Sequence, residues 1–465
     1  MSFSKAFSLL CISFVAGVFL SVPGLWLGFL LAFLVYYFYR FFLLSLFSLV
    51  FFLFGAFCFL YAESFTPPPL QEFEGTVDRE PLLKGDRKEI VVCDDFCVLL
   101  FVDRHKDIIY GDKLHVEGEF REPEPLYYER YLKKEGVYYT SFYPETEVVE
   151  RSPSFLFSLK DSFRERMHSV IPPPEVFILE AMTMGDRGSF SDELGEKLSI
   201  AGVRHITAVS GMHIVIISSL LFSLFSLSGF PRKASSFTAI FFVILFVLFV
   251  GAPASAVRAG IMGSLLLISR AINSTAFSLR SVVFAASGML FFNPLLVYDT
   301  GFHLSFLAVL GIILLFPLLK EKFSAVPLRK KEGSFFFLRR FFARFFKKRE
   351  RVCEMICVTL SAVAFTAPLI VYNFGNFPLF SIFSNLLIVP LLPFIFVFGV
   401  IGSVSGISFF ALPAYLLLSF LLFVVEFFSS LPFAALKIED APLFLLFLFY
   451  ATIMHYINRY KSITI

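Results

Sequence analysis

Apolar residues in this chain come in long unbroken blocks rather than in alternation, and a few polar stretches interrupt them. Residues 6–62 carry almost no charge, and Ser21-Val-Pro-Gly24 and Tyr39-Arg40 divide them into three pieces of roughly 16 to 22 residues, each near the length that spans a bilayer. From 63 the pattern changes. Glu89–Cys93 and Val98–Val102 are short strand-length apolar runs and Lys113–Glu117 alternates polar with apolar, with turn chemistry at Lys84-Gly-Asp86 and Tyr110-Gly-Asp112, which predicts a small β-barrel. An amphipathic stretch, Phe155–Val170, and the break Pro172-Pro-Pro174 lead back to apolar blocks. These fall near 206–228, 236–250, 256–272, 278–292, 303–319, 352–372, 380–400, 408–428 and 441–457, so the whole reads as about twelve transmembrane helices.

The expected fold is therefore a polytopic α-helical membrane protein with an inserted extracytoplasmic β-barrel of OB-like character. Its expected divisions are 1–62 for the first helices, 63–153 for the β domain, 154–174 for an amphipathic linker and 175–465 for the main transmembrane domain. The phrase Gly111–Gly118 is similar to a strand-turn phrase of OB folds. Composition agrees with the membrane assignment, since 57% of residues are hydrophobic and 67 are Phe. A cleaved leader would be followed by a soluble stretch, not by two further apolar spans.

Charge sets the orientation. The 320–351 segment has twelve basic against three acidic residues, a net of +9, and Lys5, Arg40, Arg232-Lys233, Arg270, Arg280 and Arg459–Lys461 fall on the same side when the spans alternate. Both termini and the 320–351 loop are thus expected on the cytoplasmic side, with the β domain on the outer face of the membrane. Residues 63–175 hold 24 acidic and 15 basic residues, a net of −9, which argues against that domain as the main grip on a polyanion. Tyr127-Tyr128 and Tyr138-Tyr139 offer stacking surfaces there, against which stands the ordinary packing of strand tyrosines. Of six cysteines only Cys93 and Cys97 lie in this domain, where a disulfide can persist; two free thiols or two small packed side chains fit the spacing equally well.

Chemistry concentrates in three stretches. Arg204-His-Ile-Thr-Ala-Val-Ser-Gly-Met-His213 opens the 206–228 block with polar groups that gain nothing from lipid, so this helix is expected to face protein or a wet cavity. Read as one helix, His205 and His213 stand about 80° apart. Gly251-Ala-Pro-Ala-Ser255 leads into Arg258, and Asn293-Pro294 precedes Tyr298-Asp-Thr-Gly-Phe-His-Leu-Ser305. A third break runs through Asn373-Phe-Gly-Asn-Phe-Pro378, Asn385 and Pro390-Leu-Leu-Pro393. Glycine and proline free backbone polar groups that lipid cannot satisfy, and such irregular backbone usually lines a cavity.

Met184-Gly-Asp-Arg187, Gly202–His213, Arg258 with Met262, Asn293-Pro294, Asp299–Phe306 and Asn385–Pro393 together resemble, in order and spacing, the ComEC-type competence proteins, a family of inner-membrane channels for transforming DNA. The resemblance covers about 175–457 and implies passage of single-stranded DNA into the cytoplasm. It carries over to Gly185, Asp186, Arg187, Gly202, His205, Ser210, Gly211, His213, Arg258, Asn293, Pro294, Asp299, Gly301, His303, Ser305, Asn385 and Pro390 as channel residues. Many members continue into a metallo-β-lactamase-like nuclease domain. No His-x-His-x-Asp-His set occurs here and no phosphate-binding loop, so the expectation is a short, non-enzymatic form without catalytic residues, metal or cofactor. Such a channel would work in membrane lipid with a separate DNA receptor, a nuclease, and a cytoplasmic motor or single-strand-binding protein, and as a homo-oligomer if copies associate. Two other readings stay open. One is an intramembrane serine protease built on Ser210-Gly211 and a histidine, in which Ala208 stands where the rhomboid pattern has glycine; the other is a transporter of a small or lipid-linked solute.

Overall fold

A computed structural model describes residues 10–16, 18–19, 42–151, 155–186, 191–207, 209, 211–271, 279–324, 336–438, 442, 448–453, 455 and 459. Helix α1 (Phe42–Ser64) delivers the chain to a β domain of seven strands: β1 (Glu72–Val77), β2 (Leu82–Lys84), β3 (Arg87–Cys93), β4 (Cys97–Asp103), β5 (Lys113–Glu117), β6 (Val137–Phe142) and β7 (Glu145–Glu150). They form one mixed sheet in the order β6-β4-β3-β1-β5-β7, with β2 against β3. Only β4 and β6 run parallel in it. The two ends of this order, β6 and β7, are joined by Tyr143-Pro144 alone, so one bent strand touches β4 on one side of the sheet and β5 on the other. Ile90, Val92, Val98, Leu100, Leu114 and Val116 fill the interior, as the alternation requires. Cys93 and Cys97, directly opposite each other across the β3–β4 turn, are disulfide-bonded.

The tyrosines divide. Tyr139 is buried and donates from its hydroxyl to the carbonyl of Pro67, while Tyr138 packs edge-on against Phe65 and Phe96. Tyr127 and Tyr128, in contrast, lie not on a strand but on helix α2 (Leu126–Lys133), which starts after Pro125 and carries an i,i+4 pair between Glu129 and Lys133.

Beyond the sheet come α3 (Phe155–Val170), α4 (Glu175–Met184), α5 (Asp192–Ile200), α6 (Gly211–Leu227), α7 (Arg232–Phe249), α8 (Ala254–Ala271), α9 (Leu279–Phe292), α10 (Thr300–Ser324), α11 (Phe336–Phe374), α12 (Ser381–Ile388), α13 (Leu392–Ser405) and α14 (Ser408–Ser429). Among the described residues five stretches are long and apolar enough to cross a membrane: Arg232–Phe249, Thr300–Lys322, Cys353–Phe374, Ser381–Ser405 and Ser408–Ser429. Ser48–Ser64, Gly211–Leu227 and Ser281–Phe292 are shorter apolar helices. The protein is thus a membrane protein with a mixed β domain. The span expected between Gly24 and Tyr39 lies outside the described residues, and about half of that near 441–457 does.

Close helix contact rests on small residues. A methyl group on Gly311 of α10 would lie 2.3 Å from the Ser361 carbonyl oxygen of α11, and one on Gly399 of α13 would lie 2.6 Å from the Leu179 side chain of α4. The amphipathic helix α3 is no free linker: Met167 is fully buried in the cluster that α4, α13 and α14 build.

One element differs from the reading of sequence. The polar run 204–213 does not open a helix. Arg204–Ile206 forms a 3-10 turn, closed by the Thr207 hydroxyl donating to the Arg204 carbonyl at 2.9 Å, and α6 begins only at Gly211. Such local side-chain bonding competes with helix, so the 80° relation between His205 and His213 does not hold.

Candidate functional site

Asp299 sits between a 3-10 turn, Pro294–Tyr298, and the start of α10. Its carboxylate accepts from the backbone N–H groups of Gly301 (3.2 Å) and Phe302 (2.9 Å), which is how an aspartate caps a helix whose first donors have no intrahelical partner. Asn293 caps the preceding turn through Leu295 N–H at 3.1 Å, and Pro294 occupies the first position, where its missing donor costs nothing. Two cations reach Asp299. Lys134 Nζ, from the end of α2, donates to Oδ1 at 2.7 Å, and Arg258 Nη1, from α8, stands 3.8 Å from Oδ2. Arg258 is 4% exposed, and its Nε and Nη1 have no hydrogen-bond partner among the described residues. Burial opposes ionisation of Asp299, yet Lys134 and Arg258 outweigh it and hold the carboxyl below its usual range.

The β domain is tied to the same turn by further contacts. Asn293 Nδ2 donates to the Lys134 carbonyl at 2.8 Å; Tyr298 donates from its hydroxyl to Glu63 at 2.5 Å; and the Arg130 guanidinium lies 4.9 Å from the Tyr298 ring centre. Burial, then the Glu63 carboxylate, pushes the Tyr298 hydroxyl above its ordinary range, so it stays a donor. Gly301 and Ser305 are half-buried on α10, and His303 turns its ring to Phe19, with Nε2 buried and unpartnered among the described residues.

A second charged junction lies on α3. Arg164 bonds to Glu80 of the β domain (2.9 Å), Asp186 (3.2 Å) and the fully buried Glu180 (2.5 Å). Lys160 adds a 3.2 Å pair with Glu80, and His168 Nε2 lies 3.4 Å from Glu180. Burial alone would lower the basicity of Arg164, but the carboxylates of Glu80, Glu180 and Asp186 raise it well above normal.

The three polar stretches expected to carry function meet in space. Gly202 has φ +73°, and a methyl group there would lie 2.5 Å from Ser381 Cβ; Ser384 Oγ donates to the Ala201 carbonyl at 2.6 Å. Asn385 is buried and donates to the Ser381 carbonyl at 2.7 Å, while Pro390 falls in the 3-10 turn Val389–Leu391. On the other side a methyl group on Gly211 would lie 4.0 Å from Ala259 Cβ, and Val209 and Ile214 join Ala256 and Ala259 in one cluster. His213 is buried on α6 and His205 is exposed on its turn. Gly185 ends α4 at φ +79° beside Val250. Arg187 and Ser210 lie outside the described residues.

Lys134, Arg164, Glu80 and Glu63 went unnoticed in the sequence. Nothing in Lys133-Lys134 or in Asp161-Ser-Phe-Arg164 distinguishes a buried ion pair from a solvated helix face. The one signal was Glu180, an acid inside an apolar run, which needs a cation somewhere.

A helical membrane core assembled from three broken polar segments, with a β domain latched to it by ion pairs, defines the class of molecule. Residues 182–461 match the family model described as Competence protein, and the chain belongs to that family. It is 24% identical over 356 residues to ComE operon protein 3 of Bacillus subtilis (strain 168), covering 72% of this chain and 42% of that one, so it spans about two fifths of that relative's length. An uncharacterized protein of Aquifex aeolicus (strain VF5) is 24% identical over 336 residues, covering 71% of this chain and 70% of that one. No solved structure matches.

Proposed function

We propose that the chain takes part in DNA uptake during competence, as the plasma-membrane path by which single-stranded DNA enters the cytoplasm. Membership of the Competence protein family supports the general role. The observation that carries the finer reading is Arg258. An arginine that merely anchors a helix snorkels its head to water, but this one is 4% exposed and shares with Lys134 the one carboxylate, Asp299, that it pairs with among the described residues. Lys134, Arg258 and Asp299 together carry one positive charge in excess. A phosphate chain leaving water needs such positive, fork-shaped donors along its route.

In this reading about twelve spans carry the chain through the bilayer, both termini face the cytoplasm, and the β domain is an OB-like barrel closed by the bent β6–β7 strand on the outer face. A DNA receptor, a nuclease, and a cytoplasmic motor or single-strand-binding protein are the partners it calls for. The test follows labelled DNA into the cytoplasm of competent cells with and without the gene. Loss of nuclease-protected label in the deletion, restored by the intact chain, is the expected result; unchanged entry would refute the assignment.

A further inference from the structure

One outer face of the β domain gathers metal-ligating groups that the uptake reading does not use. Exposed and buried residues alternate along β1, so Glu72 and Glu74 point outward while Phe73 is buried, and on β5 His115 and Glu117 point the same way between buried Leu114 and Val116. The ladder places Glu72 opposite Glu117 and Glu74 opposite His115. On the far side of β5, Glu145 stands opposite Glu117 and Glu147 opposite His115. Like charges directly opposite each other destabilise a sheet, and the row Glu72, Glu117, Glu145 sets three carboxylates side by side. A cation bound among them would reverse that penalty.

The imidazole makes this more than an acidic surface. One ligand atom each from Glu72, His115 and Glu117 lie within 4.8 Å of one another. Both ring nitrogens of His115 face carboxylates, on opposite sides: Nε2 is 3.1 Å from Glu117 Oε1, and Nδ1, buried and without a hydrogen bond among the described residues, has Glu74 Oε1 at 3.3 Å. A carboxylate on one nitrogen, fixing the tautomer and aiming the other nitrogen at an ion, is the arrangement that metal-binding histidines use.

We propose that Glu72, His115 and Glu117 bind a divalent transition-metal ion, through His115 Nε2 and one oxygen of each carboxylate, with Glu74 as the positioning residue on Nδ1. An imidazole ligand favours zinc and its neighbours over calcium and magnesium, which prefer all-oxygen sets. Three protein ligands leave a further position for water or a ligand from solution. The bound ion would clamp β1 to β5.

The probe is zinc, measured by equilibrium dialysis against the purified full-length chain in detergent, with cobalt substitution for its visible spectrum. His115→Gln is expected to lose one zinc equivalent relative to the unaltered chain. Glu74→Gln should keep the site but weaken it about 10- to 100-fold, as loss of an orienting carboxylate does. Glu147→Gln, on the same face but outside the trio, should bind as the unaltered chain does, and the cobalt spectrum should lack thiolate bands. These side chains lie on the domain surface, and circular dichroism checks that each variant folds. Equal zinc binding by His115→Gln, or equal losses in Glu74→Gln and Glu147→Gln, would overturn the proposal.

Discussion

Lys134 Nζ donates to Asp299 Oδ1 across 2.7 Å, joining the β domain to the cap of a membrane helix 165 positions further along the chain. Both groups are largely withdrawn from water, and removing one member of such a pair leaves an uncompensated charge, at about 3–5 kcal/mol. The triad makes the losses unequal. Asp299→Asn leaves Lys134 and Arg258 facing each other without an anion and also weakens the α10 cap, whereas Lys134→Met leaves the Arg258–Asp299 pair balanced. Thermal unfolding of the detergent-solubilised protein should therefore fall further for Asp299→Asn than for Lys134→Met. An equal or reversed order would mean that Lys134 and Arg258 do not share this carboxylate.

Mild acid should spare this latch. The carboxyl of Asp299 is held below its ordinary range in the folded protein, so its contribution is present above the unfolded value and is lost as pH falls through the lower folded value. The loss in thermal midpoint on Asp299→Asn should therefore be the same at pH 7 and at pH 5, both of which lie above the unfolded value of the carboxyl. If that loss shrank between those values, the depressed carboxyl would not be what holds the domain.

How much of this was legible beforehand depends on range. Strands β3, β4 and β5 and the apolar blocks are written in local periodicity, and the three polar segments could be picked out because glycine, proline and charge are rare inside apolar sequence. Gly202 announced a break, and it proves to sit against Ser381. Partners across the fold were another matter. Lys134 and Arg164 look like any charges on an amphipathic helix, and their pairing follows from how the β domain docks, a property of tertiary contact rather than of spacing. The 204–213 run misled for a local reason, since the Thr207 hydroxyl closes a turn where apolar content suggested helix.

Two glycines of left-handed conformation separate backbone strain from packing. At Gly406, with φ +66°, nothing lies within 4 Å of an added methyl group; at Gly202, with φ +73°, Ser381 Cβ lies at 2.5 Å and Pro378 at 3.1 Å. Gly406→Ala should cost the left-handed penalty alone, about 1–2 kcal/mol. Gly202→Ala adds overpacking of about 1–3 kcal/mol and should disturb the junction of the first and third polar segments. Denaturation midpoints of the two variants check this, and matching losses would show that the 378–381 segment yields freely.

Tyr127 is 76% exposed on α2, and position 340 lies on α11 within the basic stretch. Under the proposed orientation, a cysteine at 127 should react with a membrane-impermeant reagent in intact cells, and one at 340 only after permeabilisation. Asp112, though central to an outer turn, is fully buried and would be a poor reporter. Labelling of 127 and 340 from the same side would reject the orientation.

Arg258 offers the sharpest separation of transport from architecture. The triad holds one positive charge in excess, so removing the guanidinium leaves Lys134 and Asp299 as a balanced pair, still bonded at 2.7 Å. Arg258→Met should therefore insert and accumulate nearly as the unaltered protein does, while cytoplasmic entry of DNA is lost. Arg258→Lys keeps the charge without the two-pronged donor geometry and should fall between the two. Arg258→Glu adds an acid beside Asp299 and should abolish entry even where the protein persists at the membrane. Entry of labelled DNA, normalised to the amount of membrane-inserted protein, decides the matter. Normal entry through a stably accumulated Arg258→Met protein would take this guanidinium off the DNA path, whereas its failure to accumulate would make Arg258 an architectural residue.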